Sequence, residues 1–365
     1  MRVPLFDLAA QERAVAAETL AAVQRVAGEA RFILGAAVES FERWLAAACG
    51  AAHAVGVASG TDAIELTLRA LGVGEGDAVV TPAFSFVAAA EAIACTGARP
   101  VFCDVEPDTM NASARTVGDA MARARGSGLR VAACVPVHLF GAVAEVGALD
   151  VPVVEDAAQA IGARDAAGRA AGAIGRAAGF SFFPTKNLGA WGDGGAVVTS
   201  DAELAARVRR LRAHGASAPY VHEELGRNSR LDALQAAVLL AKSAHLEAWQ
   251  SARARLAGGY LGALGSLPLT LPALPPPPAA HAWHAFVVRT PRRDALAAWL
   301  RERGVETRVY YPLPLHRQPC FASLREPDLP VAEEACRTAL ALPIHATMTD
   351  AQHAHVVDQV RAFFA

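Results

Sequence analysis

A glycine-rich segment between two apolar runs constrains the fold of this chain more than any other stretch. Residues 179–200 read GFSFFPTKNLGAWGDGGAVVTS, with one apolar run at 180–183 and a second at 196–199. Pro184 ends the first run, and four glycines follow at positions 189, 192, 194 and 195. Because glycine tolerates left-handed and strained backbone conformations, this pattern predicts a tightly shaped loop between two buried strands.

Lys186 lies on this loop, and Lys242 is the only other lysine in the chain. Arginine stays protonated and cannot form an imine, whereas a desolvated lysine loses its proton more readily and attacks carbonyl groups. We therefore predict that Lys186 is a Schiff-base lysine, with a solvated loop lysine as the alternative. Lys242 falls in the helical pattern 232–249 and is expected to face solvent.

Composition argues against several classes of protein. The 365 residues have room for two domains, and a net charge of −2 offers no basic surface for nucleic acid or an anionic membrane. The N-terminus MRVPLFDLAAQER lacks the apolar core of a signal peptide, and no run is long enough to span a bilayer. The six cysteines show neither a CxxC pair nor metal-ligand spacing, so free thiols in a reducing cytosol are expected. We expect a soluble cytoplasmic protein without a metal site.

Strand-like and helical patterns alternate through the first half of the chain. The predicted strands are 53–58, 78–81, 99–103, 131–135 and 151–155, and the predicted helices between them are 63–71, 85–96 and 117–125. Further helical patterns cover 10–30, 36–49, 201–213 and 231–256. Alternation of this kind predicts an α/β fold, with a parallel or mixed sheet covered on both faces. Ligands then bind beyond the carboxyl ends of the strands, where Phe86, Asp156 and Lys186 lie.

Two short polar stretches follow predicted strands. Residues 59–62, SerGlyThrAsp, precede a helix and could bind an anion through free backbone N–H groups, or could simply cap the helix. Asp156 follows the run 151–155 and could hold a protonated ring nitrogen, or could cap a helix. Lysine and aspartate together are what pyridoxal phosphate chemistry requires, so the pair favours the first role for Asp156.

A change in composition at 257–280 separates the chain into two parts. Glycines there give way to LeuProAlaLeuProProProPro, a stiff connection. We predict a large domain over 1–250 and a smaller α+β domain over 251–365. The expected elements of the smaller part are strands at 283–289 and 305–310 and helices at 292–303, 331–340 and 350–364.

The order and spacing of several motifs resemble one known family. The motifs are SerGlyThrAspAla at 59–63, GluAspAlaAlaGlnAla at 155–160, SerPhePheProThrLysAsnLeuGly at 181–189, GlyAspGlyGly at 192–195 and GlyArgAsnSerArgLeuAsp at 226–232. They are similar to those of the DegT/DnrJ/EryC1/StrS family of nucleotide-sugar aminotransferases, which are pyridoxal-phosphate enzymes of fold type I. The likeness runs from PheIleLeuGly at 32–35 to the segment 310–318. Ala36, where many relatives have proline, and the variable turn 164–169 depart from the family pattern.

The resemblance implies a large domain with a mostly parallel seven-stranded sheet, a smaller C-terminal domain and pyridoxal 5'-phosphate as cofactor. Lys186 would carry the cofactor and shuttle a proton, and Asp156 would pair with the pyridine nitrogen. Phe86 would stack on the ring face, and Gln159 would lie near the ring hydroxyl.

The same resemblance implies residues for the phosphate and the substrate. Gly60, Thr61 and Ser181 would hold the phosphate, and Asn228 would reach it from the other subunit of a homodimer with shared active sites. For Asn228 the alternative is a cap on the helix that starts near Leu231. Further candidates that could contact the substrate are Arg230, Tyr310, His316 and Arg317, and for the last three a solvated loop is the alternative.

The implied reaction is transfer of an amino group from an amino acid, expected to be L-glutamate, to a nucleotide-linked keto-sugar. The phrase TyrTyrProLeuProLeuHis at 310–316 is similar to relatives that aminate carbon 3, so carbon 3 is favoured over carbon 4. The product would be an amino sugar for a surface polysaccharide, such as lipopolysaccharide, or for a natural product. The alternatives are amination of a cyclitol or another non-nucleotide ketone, and a cofactor-bound regulatory or binding protein without turnover.

Overall fold

The computed structural model describes all residues from 1 to 365 and is organised around a central sheet. The first seven strands of the chain are β1 (His53–Val57), β2 (Asp77–Pro82), β3 (Arg99–Cys103), β4 (Arg130–Cys134), β5 (Val154–Asp156), β6 (Ala177–Ser181) and β7 (Gly195–Thr199). They lie in the order β3-β2-β4-β5-β6-β7-β1, and single parallel bridges at Cys134–Val153 and Val137–Asp156 join β4 to β5. Strand β7 is antiparallel to both neighbours, and the other pairs are parallel. The predicted mostly parallel seven-stranded sheet is confirmed.

Helices cover both faces of this sheet. They are α1 (Leu8–Glu29), α2 (Ala36–Cys49), α3 (Gly60–Ala70), α4 (Ala88–Cys95), α5 (Ala114–Gly126), α6 (Ala202–Leu211), α7 (Ala233–Ser243), α8 (Leu246–Leu264), α9 (Arg293–Glu302), α10 (Pro330–Thr338) and α11 (Asp350–Phe364). Successive residues of a strand face opposite layers, as the alternation of a pleated strand requires. In β2, Val79 packs in one buried cluster with Ile64 of α3 and Ile93 of α4, whereas Val80 packs in another with Val117 of α5.

Beyond the central sheet the strands are short. The hairpin β8 (Ala216–Ala218) and β9 (Val221–His222) is exposed, and β10 (Phe286–Arg289) pairs antiparallel with β11 (Ala339–Leu342). The division into two domains at residue 250 stays a prediction, and α8 runs through that position. The C-terminal half of α8 packs with β10 and β11, since Tyr260 shares a buried cluster with Phe286 and Leu342.

Several predicted elements differ from the structure. The strand expected at 151–155 begins only at Val154, and the helix expected at 331–340 ends at Thr338, before β11 begins at Ala339. The single helix expected at 231–256 is two helices, because the chain turns at residues 244–245 between α7 and α8. The strand expected at 283–289 begins only at Phe286. The strand expected at 305–310 is absent: Val305 continues the turn that ends α9, its N–H donating to the Leu300 carbonyl, and each of Val305 and Arg308 makes only one isolated bridge. None of the helices is both long enough and apolar enough to cross a membrane.

Candidate active site

The loop that carries Lys186 joins β6 to β7 and closes tightly on itself. The Ala190 N–H donates to the Phe182 carbonyl at 2.8 Å, which fixes the base of the loop. A Cβ atom at Gly189 would lie 2.3 Å from the Pro184 carbonyl oxygen, so only glycine fits there. The glycine pattern therefore reflects close backbone packing around the lysine, as predicted.

Lys186 and Asp156 lie close enough to influence each other's ionisation. Desolvation lowers the pKa of Lys186 to about 8, and the nearby Asp156 carboxylate opposes this shift. Burial raises the pKa of Asp156, while its hydrogen bond from the Ala158 N–H (3.1 Å) and the charge of Lys186 act the other way. No helix starts after Asp156, since the chain forms turns there, and the helix-cap alternative is wrong. The site therefore holds an amine that is readily deprotonated next to a buried carboxylate.

A second buried carboxylate fixes the end of β5 behind Asp156. Glu155 is fully buried and accepts hydrogen bonds from the backbone N–H groups of Gly172, Ile174 and Gly175 (2.7–2.9 Å). His138 Nε2 lies 2.8 Å from Glu155, and its Nδ1 accepts from the Ala144 N–H, so Nε2 carries the ring proton.

Burial works to raise the pKa of Glu155, but the hydrogen bonds from His138 and the backbone outweigh it and hold this pKa below its usual value. The backbone N–H of His138 also donates to the backbone carbonyl of Asp156 at 3.0 Å. Sequence reasoning missed the roles of Glu155 and His138, although polar residues at the ends of apolar strands were a usable signal.

The start of α3 and the end of β6 form a concave cradle. Ser59 caps α3 through its Oγ, which accepts from the Asp62 N–H at 3.1 Å, and the N–H groups of Gly60 and Thr61 make no bond within the chain. A Cβ at Gly60 would lie 2.8 Å from Ser181 Cβ, and a Cβ at Gly195 would lie 2.2 Å from the Ser59 carbonyl oxygen.

The capping alternative for residues 59–62 is therefore correct for Ser59 and leaves the donors that follow it free. Two free N–H groups at the positive end of a helix dipole, beside the hydroxyl groups of Thr61 and Ser181, match the needs of a phosphate. The chemistry of the donors fits the phosphate of pyridoxal phosphate, and Gly60 and Gly195 let the segments that carry these donors lie close together.

Aromatic side chains lie near Asp156 and Gln159. Phe86 is 57% exposed, and its ring centre lies 6.3 Å from that of Tyr311. Gln159 accepts from the Phe140 N–H at 2.6 Å and donates to the Tyr311 hydroxyl at 3.3 Å. Burial raises the pKa of Tyr311, so its hydroxyl stays protonated at neutral pH. Of the two adjacent tyrosines, the sequence analysis chose Tyr310 and missed Tyr311.

The substrate candidates near the C-terminus are placed differently from one another. Tyr310 is half-buried, with its ring centre 6.4 Å from that of Phe140. His316 is 3% exposed, and its Nε2 lies 3.0 Å from Glu333 Oε1 of α10, so a solvated loop is wrong for this residue. Arg317 forms ion pairs with Glu333 and Asp328. These contacts join both side chains to Glu333, although His316 Nδ1 has no hydrogen-bond partner, and this placement does not support the expectation that they face a substrate.

Asn228 and Arg230 lie on the connection before α7. Ser229 anchors this connection to the first turn of α3, since its Oγ donates to Asp62 Oδ2 at 2.6 Å. Asn228 is exposed, and α7 begins only after Asp232, so the alternative that Asn228 caps this helix is wrong. Arg230 is half-buried and its Nε has no hydrogen-bond partner.

The sequence predicted that Lys242 faces solvent, and this prediction is wrong. Its side chain is 2% exposed, and its Nζ donates to the Gly189 carbonyl at 2.9 Å and pairs with Glu12 of α1. The helical pattern indicated the helix but could not show that α1 packs along this face of α7.

We expect the amine of Lys186 in the cofactor-free protein to titrate near pH 8. Competitive labelling with acetic anhydride at a series of pH values, followed by peptide mass spectrometry, reports this pKa directly. Because burial lowers it and Asp156 raises it, Asp156→Asn should move the midpoint to a still lower pH. A midpoint near 10.5, the ordinary value for lysine, would show that the amine is solvated.

Comparison with known proteins places this geometry in a family. A family model described as the DegT/DnrJ/EryC1/StrS aminotransferase family matches residues 13–361. The chain is 43% identical to a Geobacillus stearothermophilus protein called pleiotropic regulatory protein, over 100% of this chain and 99% of that protein. It is 45% identical to the dTDP-3-amino-3,4,6-trideoxy-alpha-D-glucose transaminase of Streptomyces venezuelae, over 99% of this chain and 96% of that protein.

Among solved structures, that of S. venezuelae DesV in complex with a ketimine intermediate superposes with a TM-score of 0.94 at 44% identity. The match covers 99% of this chain and 98% of that one. Both kinds of comparison cover nearly the whole chain. The chain therefore belongs to the DegT/DnrJ/EryC1/StrS aminotransferase family and is a pyridoxal-phosphate-dependent aminotransferase.

Proposed function

We propose that this aminotransferase moves the amino group of L-glutamate to carbon 3 of a keto-sugar carried on a nucleotide. The observation that carries the proposal is the placement of Lys186, with its lowered pKa, beside the buried Asp156 and near the cradle at the start of α3. The name of the S. venezuelae relative, a transaminase for a 3-amino sugar on dTDP, supports the sugar nucleotide and the position aminated.

The residues around Lys186 would hold the cofactor in the following way. Lys186 Nζ would attach it covalently, and Asp156 would face the ring nitrogen. A carboxylate whose pKa is raised by desolvation is stabilised when a cation such as a protonated ring nitrogen lies beside it. Phe86, exposed at the wall of the site, would cover one ring face, and Gln159 would lie near the ring hydroxyl.

The phosphate would bind at the cradle on the first turn of α3. The N–H groups of Gly60 and Thr61 and the hydroxyl groups of Thr61 and Ser181 would donate to it. We propose a homodimer in which the partner subunit's Asn228 completes this site, since Asn228 is exposed and caps no helix here. Arg230 and Tyr310, which are only partly buried, are the candidates that could contact the sugar nucleotide.

Lys186 would also move the proton. Pyridoxal phosphate, when bound, supplies an aldehyde for the amino group and a ring that stabilises negative charge on the carbon that loses its proton. A base works best when its pKa is near the working pH, and a pKa of about 8 lets the Lys186 amine take a proton and return it. Asp156 would keep the ring nitrogen protonated, so that the ring can accept electrons. Tyr311, whose pKa is raised, stays a neutral hydrogen-bond partner for Gln159.

The proposal also covers the product and the place where it is made. The product would be an amino sugar for a surface polysaccharide or a natural product, made in the cytoplasm. A regulatory protein without turnover is the second candidate, because one close relative is called a pleiotropic regulatory protein. The presence of Lys186, Asp156, Thr61 and Ser181 in one site argues for turnover.

We expect L-glutamate to bleach the visible absorbance of the cofactor-loaded enzyme. A dTDP- or UDP-linked 3-keto-sugar should then restore the absorbance, and a 4-keto isomer should restore it poorly. Asp156→Asn is the control, because it should keep the fold yet slow bleaching at least tenfold, about 1.4 kcal/mol of barrier for each factor of ten.

No bleaching by glutamate or any other amino acid would favour the regulatory alternative. Restoration by a cyclitol ketone, and by none of the nucleotide-linked sugars, would contradict the proposed substrate class.

A mixture of two inactive variants should regain activity if the active sites are shared. Lys186→Ala and Asn228→Asp would each be nearly inactive alone. Unfolded and refolded together, about half of the dimers would be mixed, and each mixed dimer would contain one intact site, so about a quarter of wild-type activity should return. If each site uses only its own chain, activity stays at the level of the separate variants and the shared-site proposal fails.

A further inference from the structure

Both lysines of this chain are associated with one loop, since Lys186 lies on it and Lys242 binds it from α7. Lys242 is 2% exposed on α7, and its Nζ donates to the carbonyl oxygen of Gly189 at 2.9 Å, three residues after Lys186. The same ammonium pairs with the Glu12 carboxylate of α1. A buried cation without a partner is costly, so Glu12 makes the position possible.

Glu12 extends this contact along the loop. Its other carboxylate oxygen accepts the indole N–H of Trp191, and the Trp191 backbone N–H donates to Gln235 Oε1 of α7 at 2.8 Å. Helices α1 and α7 thus hold the loop at two positions just beyond the lysine, Gly189 and Trp191.

The part of the loop at Lys186 and Asn187 is held by contacts that do not involve Lys242 or Glu12. The Asn187 side chain donates to the Ala282 carbonyl at 2.7 Å, and the Lys186 N–H donates to the Phe183 carbonyl at 2.8 Å. The backbone is therefore held both before and after Lys186. If the Lys242 contact were lost, the Gly189 carbonyl would be left without its partner and the loop could relax.

We propose that the Lys242–Glu12 pair is a positioning element for Lys186, which holds the Gly189–Trp191 turn so that the Lys186 amine sits beside Asp156. The inference rests on the proposed role of Lys186 in the reaction. It also explains why lysine stands at position 242 in a chain whose only other lysine is Lys186 and whose remaining Lys/Arg positions are arginine. A compact ammonium can donate to a carbonyl and a carboxylate in a narrow space, whereas a planar guanidinium needs more room.

A simple structural brace between α1 and α7 is the competing explanation. The same helices offer a matched control, because His245, which follows α7, pairs with Glu18 of α1 at 2.7 Å. That pair is more exposed and makes no contact with the Lys186 loop. Loss of either pair weakens the packing of α1, but only loss of Lys242 or Glu12 would disturb Lys186.

The experiment compares Lys242→Met, Glu12→Gln and Glu18→Gln with the wild type. Four quantities are measured: the rate at which the apoenzyme captures pyridoxal phosphate, the pH midpoint of the cofactor absorbance, and kcat and KM for the amino donor. For Lys242→Met we expect capture and kcat to fall by about tenfold to a hundredfold, with KM within about threefold, because misplacement of a reacting group mainly affects the chemical step. The pH midpoint should shift, Glu12→Gln should show a smaller change in the same direction, and Glu18→Gln should match the wild type.

Unchanged capture and an unchanged pH midpoint in Lys242→Met, whatever its thermal stability, would overturn the proposal and leave a structural brace. If Lys242→Met does not fold, Glu12→Gln decides by the same two measurements, since it keeps a hydrogen-bonding side chain at position 12. If the wild-type protein captures no pyridoxal phosphate, the proposed role of Lys186 itself fails, and this outcome is distinct because it appears before any variant is made.

Discussion

The site depends on one electrostatic arrangement, an amine and a carboxylate that share a desolvated space at the edge of the sheet. Strands β5 and β6 are parallel neighbours, so the end of β5, which carries Asp156, lies beside the loop that leaves β6 and carries Lys186. Burial disfavours both charges, lowering the pKa of Lys186 and raising that of Asp156, and each partly offsets the effect on the other. A cation beside Asp156 would therefore offset the cost of burying its carboxylate, and Lys186 is an amine that loses its proton more readily than an ordinary lysine.

Close packing of the backbone forms the parts of the site around the charge pair. The cradle at the start of α3 exists because Gly60 and Gly195 let three chain segments approach more closely than any side chain would permit. The Lys186 loop likewise needs glycine at 189, where the Pro184 carbonyl fills the space of a Cβ atom. Beneath these segments, Glu155 and His138 tie the end of β5 to its surroundings. These contacts hold the backbone that carries Asp156 and Lys186, and they leave the carboxylate and the amine free for the reaction.

Much of this could be predicted from the sequence, because the signals were local. Alternating apolar runs indicated a parallel or mixed sheet, the family resemblance implied its seven strands, and the glycine pattern with Lys186 indicated the shaped loop. The predictions that failed depended on tertiary packing. The burial of Lys242 follows from α1 lying across α7, which the periodicity of α7 does not reveal. The contacts of His316 with α10 and the loss of a strand at 305–310 likewise depend on partners distant in sequence.

The central claim, that Lys186 carries the cofactor, is tested most directly by borohydride reduction of the cofactor-loaded protein followed by peptide mapping. The chain provides its own internal control, since Lys242 is the only other lysine and is buried against Glu12 and Gly189. The account predicts a pyridoxyl label on the peptide that contains Lys186 and none on the peptide that contains Lys242. A label on Lys242, or on neither lysine, would contradict it.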